Sequence, residues 1–147
     1  LDYLNRALEL AVDNVREGGE PFGAVLVRGD EVLAEGVNKL HQRYDVSVHA
    51  ELEAIRKAQN SLETMDLRDC VMYASGEPCP MCLTAMYFSG IKKVYYAQTI
   101  HDAEEAGLGL SKHVYMELSK QKEQREMDMI HVTVDDKNLD ALTHYKG

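Results

Sequence analysis

The chain reads as an α/β protein, a three-layer α/β/α sandwich around a five-stranded mixed sheet. Three observations carry that reading. Apolar residues recur at helical spacing from Tyr3 to Val15. Two short apolar runs flank Gly29-Asp30, a pair suited to a tight hairpin turn. From there helix-like and strand-like stretches alternate, a pattern that stacks helices on a sheet.

In chain order, Tyr3, Leu4, Ala7, Leu8, Ala11, Val12 and Val15 predict a surface helix with one buried face, capped by Asp2 and stopped at Gly18-Gly19. Residues 23–27 and 32–37 predict two strands. Residues 39–48 carry few apolar positions and read as a loop, and a helix rich in strong formers runs from His49 to about Gln59. A buried strand over 69–75 precedes a helix for which Pro80 suits the first position and Ser89-Gly90 the end. Residues 93–97 read as a fourth strand and 128–134 as a fifth. Between them lie a glycine-containing segment, 102–110, and a charged helix over about 112–124, and a last helix covers about 138–145. No repeat, low-complexity tract or linker interrupts residues 1–147, which predicts a single domain.

The 147 residues are 45% hydrophobic and 28% charged, enough apolar side chain for a core. No run approaches the roughly 18 apolar residues of a membrane span, and the first residues resemble an amphipathic helix rather than a signal peptide. With 16 Lys and Arg against 25 Asp and Glu the net charge is −9, and no basic stripe offsets it. Phosphate backbones need clustered positive charge, so the expected ligand is a small nucleobase or nucleoside, with neither nucleic acid nor membrane as partner. Of three cysteines two carry metal spacing, which leaves Cys70 as a core thiol and argues for a reducing, cytoplasmic setting.

The chemistry lies in two short runs, His49-Ala50-Glu51 and Pro78-Cys79-Pro80-Met81-Cys82. One imidazole and two thiolates supply three ligands to Zn²⁺ and leave the fourth position for water, as a catalytic site requires. Glu51, a hard carboxylate beside soft ligands, is worth more as a general base than as a ligand. His-x-Glu followed by Pro-Cys-x-x-Cys is the signature of zinc nucleobase deaminases. Both cysteines fall at a predicted helix start, where free N–H groups and the helix dipole favour thiolates. Two thiolates make zinc a weaker acid catalyst than an all-histidine site, so an adjacent base is needed.

On these motifs the chain resembles the cytidine and deoxycytidylate deaminase-like superfamily, and its guanine deaminase branch more closely. The likeness covers about residues 1–135. It rests further on Gly19-Glu20-Pro21-Phe22-Gly23, Glu35-Gly36-Val37-Asn38, Ala54-Ile55-Arg56-Lys57-Ala58 and Asp102-Ala103-Glu104-Glu105-Ala106-Gly107. The resemblance implies zinc on His49, Cys79 and Cys82, Glu51 as proton shuttle, and a homodimer whose partner helps close the pocket. It implies that Phe22 lines the pocket, that Asn38 hydrogen-bonds the base, and that backbone around Ala50 reads the base edge. The expected reaction is hydrolysis of guanine to xanthine and ammonia. One departure stands out: guanine deaminases carry Phe-Asp-Asp after the glycine, with one aspartate serving the purine, whereas Gly107 is followed by Leu108-Gly109-Leu110. Glu104 or Glu105 are the candidate substitutes, against a solvated helical face.

Other substrates fit the same motifs: cytosine-like pyrimidines, nucleosides, aminated heterocycles such as triazines, and adenosine in transfer RNA, which the acidic chain disfavours. A zinc-stabilised interaction module is the non-enzymatic alternative. It needs a fourth protein ligand, with Cys70 or a distant histidine as the only candidates, and leaves Glu51 without a task.

Overall fold

A computed structural model describes residues 2–146, in two compact parts that meet in sequence between Met116 and Glu117. In the larger part α1 (Asp2–Arg16) leads to a hairpin of β1 (Gly23–Arg28) and β2 (Glu31–Val37). Arg28 pairs with Glu31, which leaves Gly29-Asp30 as a two-residue loop. Gly29 sits there at φ +61°, a value glycine adopts without steric penalty. A single turn, α2 (Leu40–Arg43), interrupts the expected loop. Then come α3 (Ala50–Leu62), β3 (Cys70–Gly76), α4 (Pro80–Ser89), β4 (Val94–Gln98), α5 (Ile100–Glu105) and α6 (Leu110–Ser119).

The sheet runs in the order β2-β1-β3-β4. Strand β1 is antiparallel to both neighbours, and β3 and β4 are parallel, joined by the crossover through α4. Successive side chains of β1 point to opposite faces. Val25 and Val27 pack with Ala7 of α1, whereas Ala24 and Leu26 join the larger core with Ala54 and Ile55 of α3 and Met86 of α4. Both faces of β1 are thus covered, and three layers result. On α1 the buried edge is Ala7, Ala11 and Asn14, while Val12 and Val15, expected on that face, are exposed.

The approach of α3 to the sheet depends on small residues. Ala50, Ala54 and Ala58 lie on its buried side, and Gly36 of β2 faces it directly. A Cβ on Gly36 would stand 2.1 Å from the Ala50 carbonyl oxygen and 2.9 Å from the Ala54 nitrogen. Both are backbone atoms of α3, so a side chain there would push the whole helix away.

The sheet has four strands, not the expected five. Residues 128–134 carry no strand, although Ile130, Val132 and Val134 alternate as a strand would. Alternation specifies a face, not a pairing partner, and among the described residues none pairs with this segment. The smaller part, from Glu117 on, is mostly irregular. It holds 3₁₀ turns at Lys122–Gln124 and Lys137–Leu139 and the short helix α7 (Ala141–Lys146). Arg125 Nε donates to the Glu117 carbonyl (3.0 Å), and the Glu126 N–H donates to the Glu117 carboxylate (2.7 Å).

Candidate active site

His49 is the N-cap of α3 and Cys79 the N-cap of α4, with Pro80 in the first turn and Cys82 two residues further on. Two helix starts therefore converge, as the spacing predicted. Nδ1 of His49 lies 3.4 Å from Sγ of Cys79 and 3.6 Å from Sγ of Cys82. Zinc with Zn–N and Zn–S bonds of ordinary length at tetrahedral angles would hold such atoms about 3.6 Å apart. The three donors thus fit a zinc ion in spacing and in chemistry. No fourth histidine, cysteine or carboxylate joins this cluster among the described residues, and Cys70 is not part of it. A zinc ion held by these three donors alone would keep a coordination position for a small molecule.

The charges are coupled. Hydrogen bonding from the Cys82 thiol, then from His49 and the Cys82 N–H, outweighs burial and pulls the Cys79 thiol down to about 4. Cys82, which keeps the shared proton in a buried setting beside Glu51, moves strongly upward. His49 is raised, chiefly by its hydrogen bond to Cys79, against the effect of burial. Glu51 sits in the first turn of α3 and is 7% exposed. Burial lifts its carboxyl to about 7; the negative Cys79 adds to this, while its own backbone N–H and His49 oppose it. A carboxyl balanced near neutrality can both take and return a proton.

The three residues assigned to the base by resemblance stand in different settings. Asn38 is 3% exposed; its Oδ1 accepts from the Leu40 N–H (3.2 Å), and its Nδ2 has no partner among the described residues. Ala50 is fully buried as the first residue of α3. Phe22 packs over Gly76 and lines a cavity of about 150 Å³ with Pro21, Glu77, Thr99, Ile100 and Leu108. None of the metal-cluster residues lines that cavity. After Gly107, Leu108 forms part of its wall where an acid was expected. Glu104 is ion-paired with Lys112 (2.9 Å) and Glu105 is exposed, so both belong to a solvated face.

Three contributors carried no sequence signal. Asn14 donates from Nδ2 to the carbonyls of Glu20 (2.8 Å) and Asn38 (2.7 Å), tying α1 to the loops before β1 and after β2. Tyr115 donates to the Pro78 carbonyl (2.6 Å), which braces the turn into Cys79. Burial first, then the negative charge of Cys79, pushes its hydroxyl up to about 12. Glu77 accepts from the Ile100 N–H (3.0 Å) and so fixes the start of α5. For α5 a signal was present: Thr99 and Asp102 form a reciprocal capping box.

Residues 1–98 match the family model of the cytidine and deoxycytidylate deaminase zinc-binding region. Guanine deaminase of Bacillus subtilis is 44% identical over 133 residues, 90% of this chain and 85% of that protein. A tRNA-specific adenosine deaminase of Agrobacterium fabrum is 39% identical over 93 residues, 60% of this chain and 61% of its own length. The crystal structure of guanine deaminase from Bacillus subtilis superposes with a TM-score of 0.92 at 40% identity, covering 99% of this chain and 92% of that one. With the motif, the donor geometry and these matches in agreement, the chain belongs to the cytidine and deoxycytidylate deaminase family.

Proposed function

We propose that residues 1–147 form a single zinc-dependent deaminase domain that hydrolyses guanine to xanthine and ammonia. One observation carries the reaction type: a three-donor cluster of His49, Cys79 and Cys82 beside a buried carboxyl balanced near neutral pH. The 44% identity to a guanine deaminase, over 90% of the chain, supports the substrate.

His49, Cys79 and Cys82 would hold the ion. Zinc bound there would supply a water acidified enough to act as nucleophile at neutral pH. Glu51 would carry the two protons of that water in turn, the first to the ring nitrogen and the second to the departing amine, so that ammonia leaves as a neutral molecule. Asn38 donates its unpartnered Nδ2 to the base. Phe22 supplies an apolar wall, and the backbone around Ala50 at the start of α3 reads the polar edge. The acidic net charge of −9 fits a small base better than a nucleic acid.

The same proposal includes a homodimer. Tyr87 and Phe88 on α4 are 76% and 85% exposed, and Ile130, Val132, Leu142 and Tyr145 are exposed as well. The two exposed rings on α4 support a protein contact there. A cytoplasmic setting agrees with three free cysteines; among the described residues no helix is long and apolar enough to cross a membrane. The test is ammonia release from guanine, cytosine, adenine, their nucleosides and an aminotriazine. Guanine as the preferred substrate is expected; preference for any other member would refute the substrate assignment.

A further inference from the structure

Glu20 carries an acceptor that none of the described residues satisfies. It lies between α1 and β1 with its side chain 13% exposed. Oε2 meets Nδ1 of His41, but Oε1 is buried without a hydrogen-bond partner among the described residues. Buried carboxylate oxygens are rarely left in that state, and each instance asks for a ligand or a role.

The neighbours of Glu20 are the residues assigned to the base. Its N–H donates to the Asn38 carbonyl (3.2 Å), and its own carbonyl accepts from the Phe22 N–H (2.8 Å). Its charge reaches His49 as well. Asn38 in turn has its Oδ1 engaged by Leu40 and its Nδ2 unpartnered. Two residues bonded through their backbones thus offer one unmet acceptor and one unmet donor. The acid expected after Gly107 is absent, and Glu104 is held by Lys112.

We propose that Glu20 is a substrate-contact residue: its Oε1 accepts a ring N–H of the base while Asn38 Nδ2 donates to the adjoining carbonyl. The pair then reads a lactam, a C=O next to an N–H in one ring. Guanine presents that edge and adenine does not. This rests on the guanine reading above and extends it to what selects the base.

Zinc-loaded wild type, E20Q, E20A and H41A are compared by steady-state ammonia release from guanine and by calorimetric titration with xanthine, which keeps the lactam. Losing a charge-assisted hydrogen bond should raise the KM for guanine and the Kd for xanthine about tenfold to a hundredfold in E20A. kcat changes less, and zinc content stays at the wild-type value. E20Q keeps a neutral acceptor of the same shape and falls between. H41A stays within about twofold of wild type, since the His41 side chain is 74% exposed. An E20A protein with unchanged KM and Kd overturns the role of Glu20, as does an H41A protein that reproduces the E20A loss. Wild type that releases no ammonia from guanine overturns instead the reading on which the role rests.

Discussion

Replacing Glu51 with Gln should stabilise the metal-free protein, by an amount that depends on pH. The carboxyl rises from its usual 4.5 to about 7 because it is buried. A group displaced that far separates its two protonation states by about 3 kcal/mol. Between those two pH values the folded protein holds the proton while the unfolded chain has released it. Stability therefore falls as pH rises through this window. The contribution of Glu51 is fully present below 4.5 and lost above about 7. E51Q, which has no proton to lose, should match the wild type at pH 4.5 and exceed it by about 3 kcal/mol at pH 8. Urea unfolding of chelator-treated wild type and E51Q at half-unit pH steps reads the difference, in which titrating groups remote from Glu51 cancel and His49 and Cys82, which feel its charge, contribute a smaller part. A difference that is flat with pH would refute the claim that burial sets this carboxyl.

Three further outcomes follow from positions outside the motif. G36A forces the α3 backbone away from β2, so thermal unfolding should show a loss of about 1–3 kcal/mol and chelator competition a zinc affinity at least about tenfold weaker; unchanged affinity would separate helix placement from the site. N14A removes one of the two donors to each of the Glu20 and Asn38 carbonyls, and the two lost hydrogen bonds should cost about 2 kcal/mol in denaturant titrations with zinc content retained. Y115F removes the 2.6 Å bond to the Pro78 carbonyl and should weaken zinc about tenfold, read by competition with a colorimetric chelator; wild-type affinity would show that the turn needs no brace.

Sequence revealed the cluster itself and less of what surrounds it. The meeting of His49, Cys79 and Cys82 was legible because the two motifs fall at helix starts, one of them marked by Pro80, and Glu51 follows in the first turn of α3. The hairpin and the alternation of helices and strands were legible because turn chemistry and periodicity are local. The fifth strand was not, since Ile130, Val132 and Val134 show a face without naming a partner. The helix expected to reach Gln124 ends at Ser119, with a 3₁₀ turn beyond it. Asn14 and Tyr115 act through side-chain bonds to backbone carbonyls on other segments, Asn38 and Pro78 among them, and no spacing announces such contacts. The small residues of β2 and α3 were visible, yet only the packed structure shows that Gly36 sets how closely His49 and Glu51 stand to the sheet.

The account stands or falls on ammonia release from guanine by zinc-reconstituted protein, with wild type and E51Q assayed side by side at equal metal content. It predicts steady turnover by the wild type and a loss of several orders of magnitude in E51Q, with both chains binding one zinc. E51Q that turns over at the wild-type rate would contradict it, as would wild type that holds one zinc and releases no ammonia.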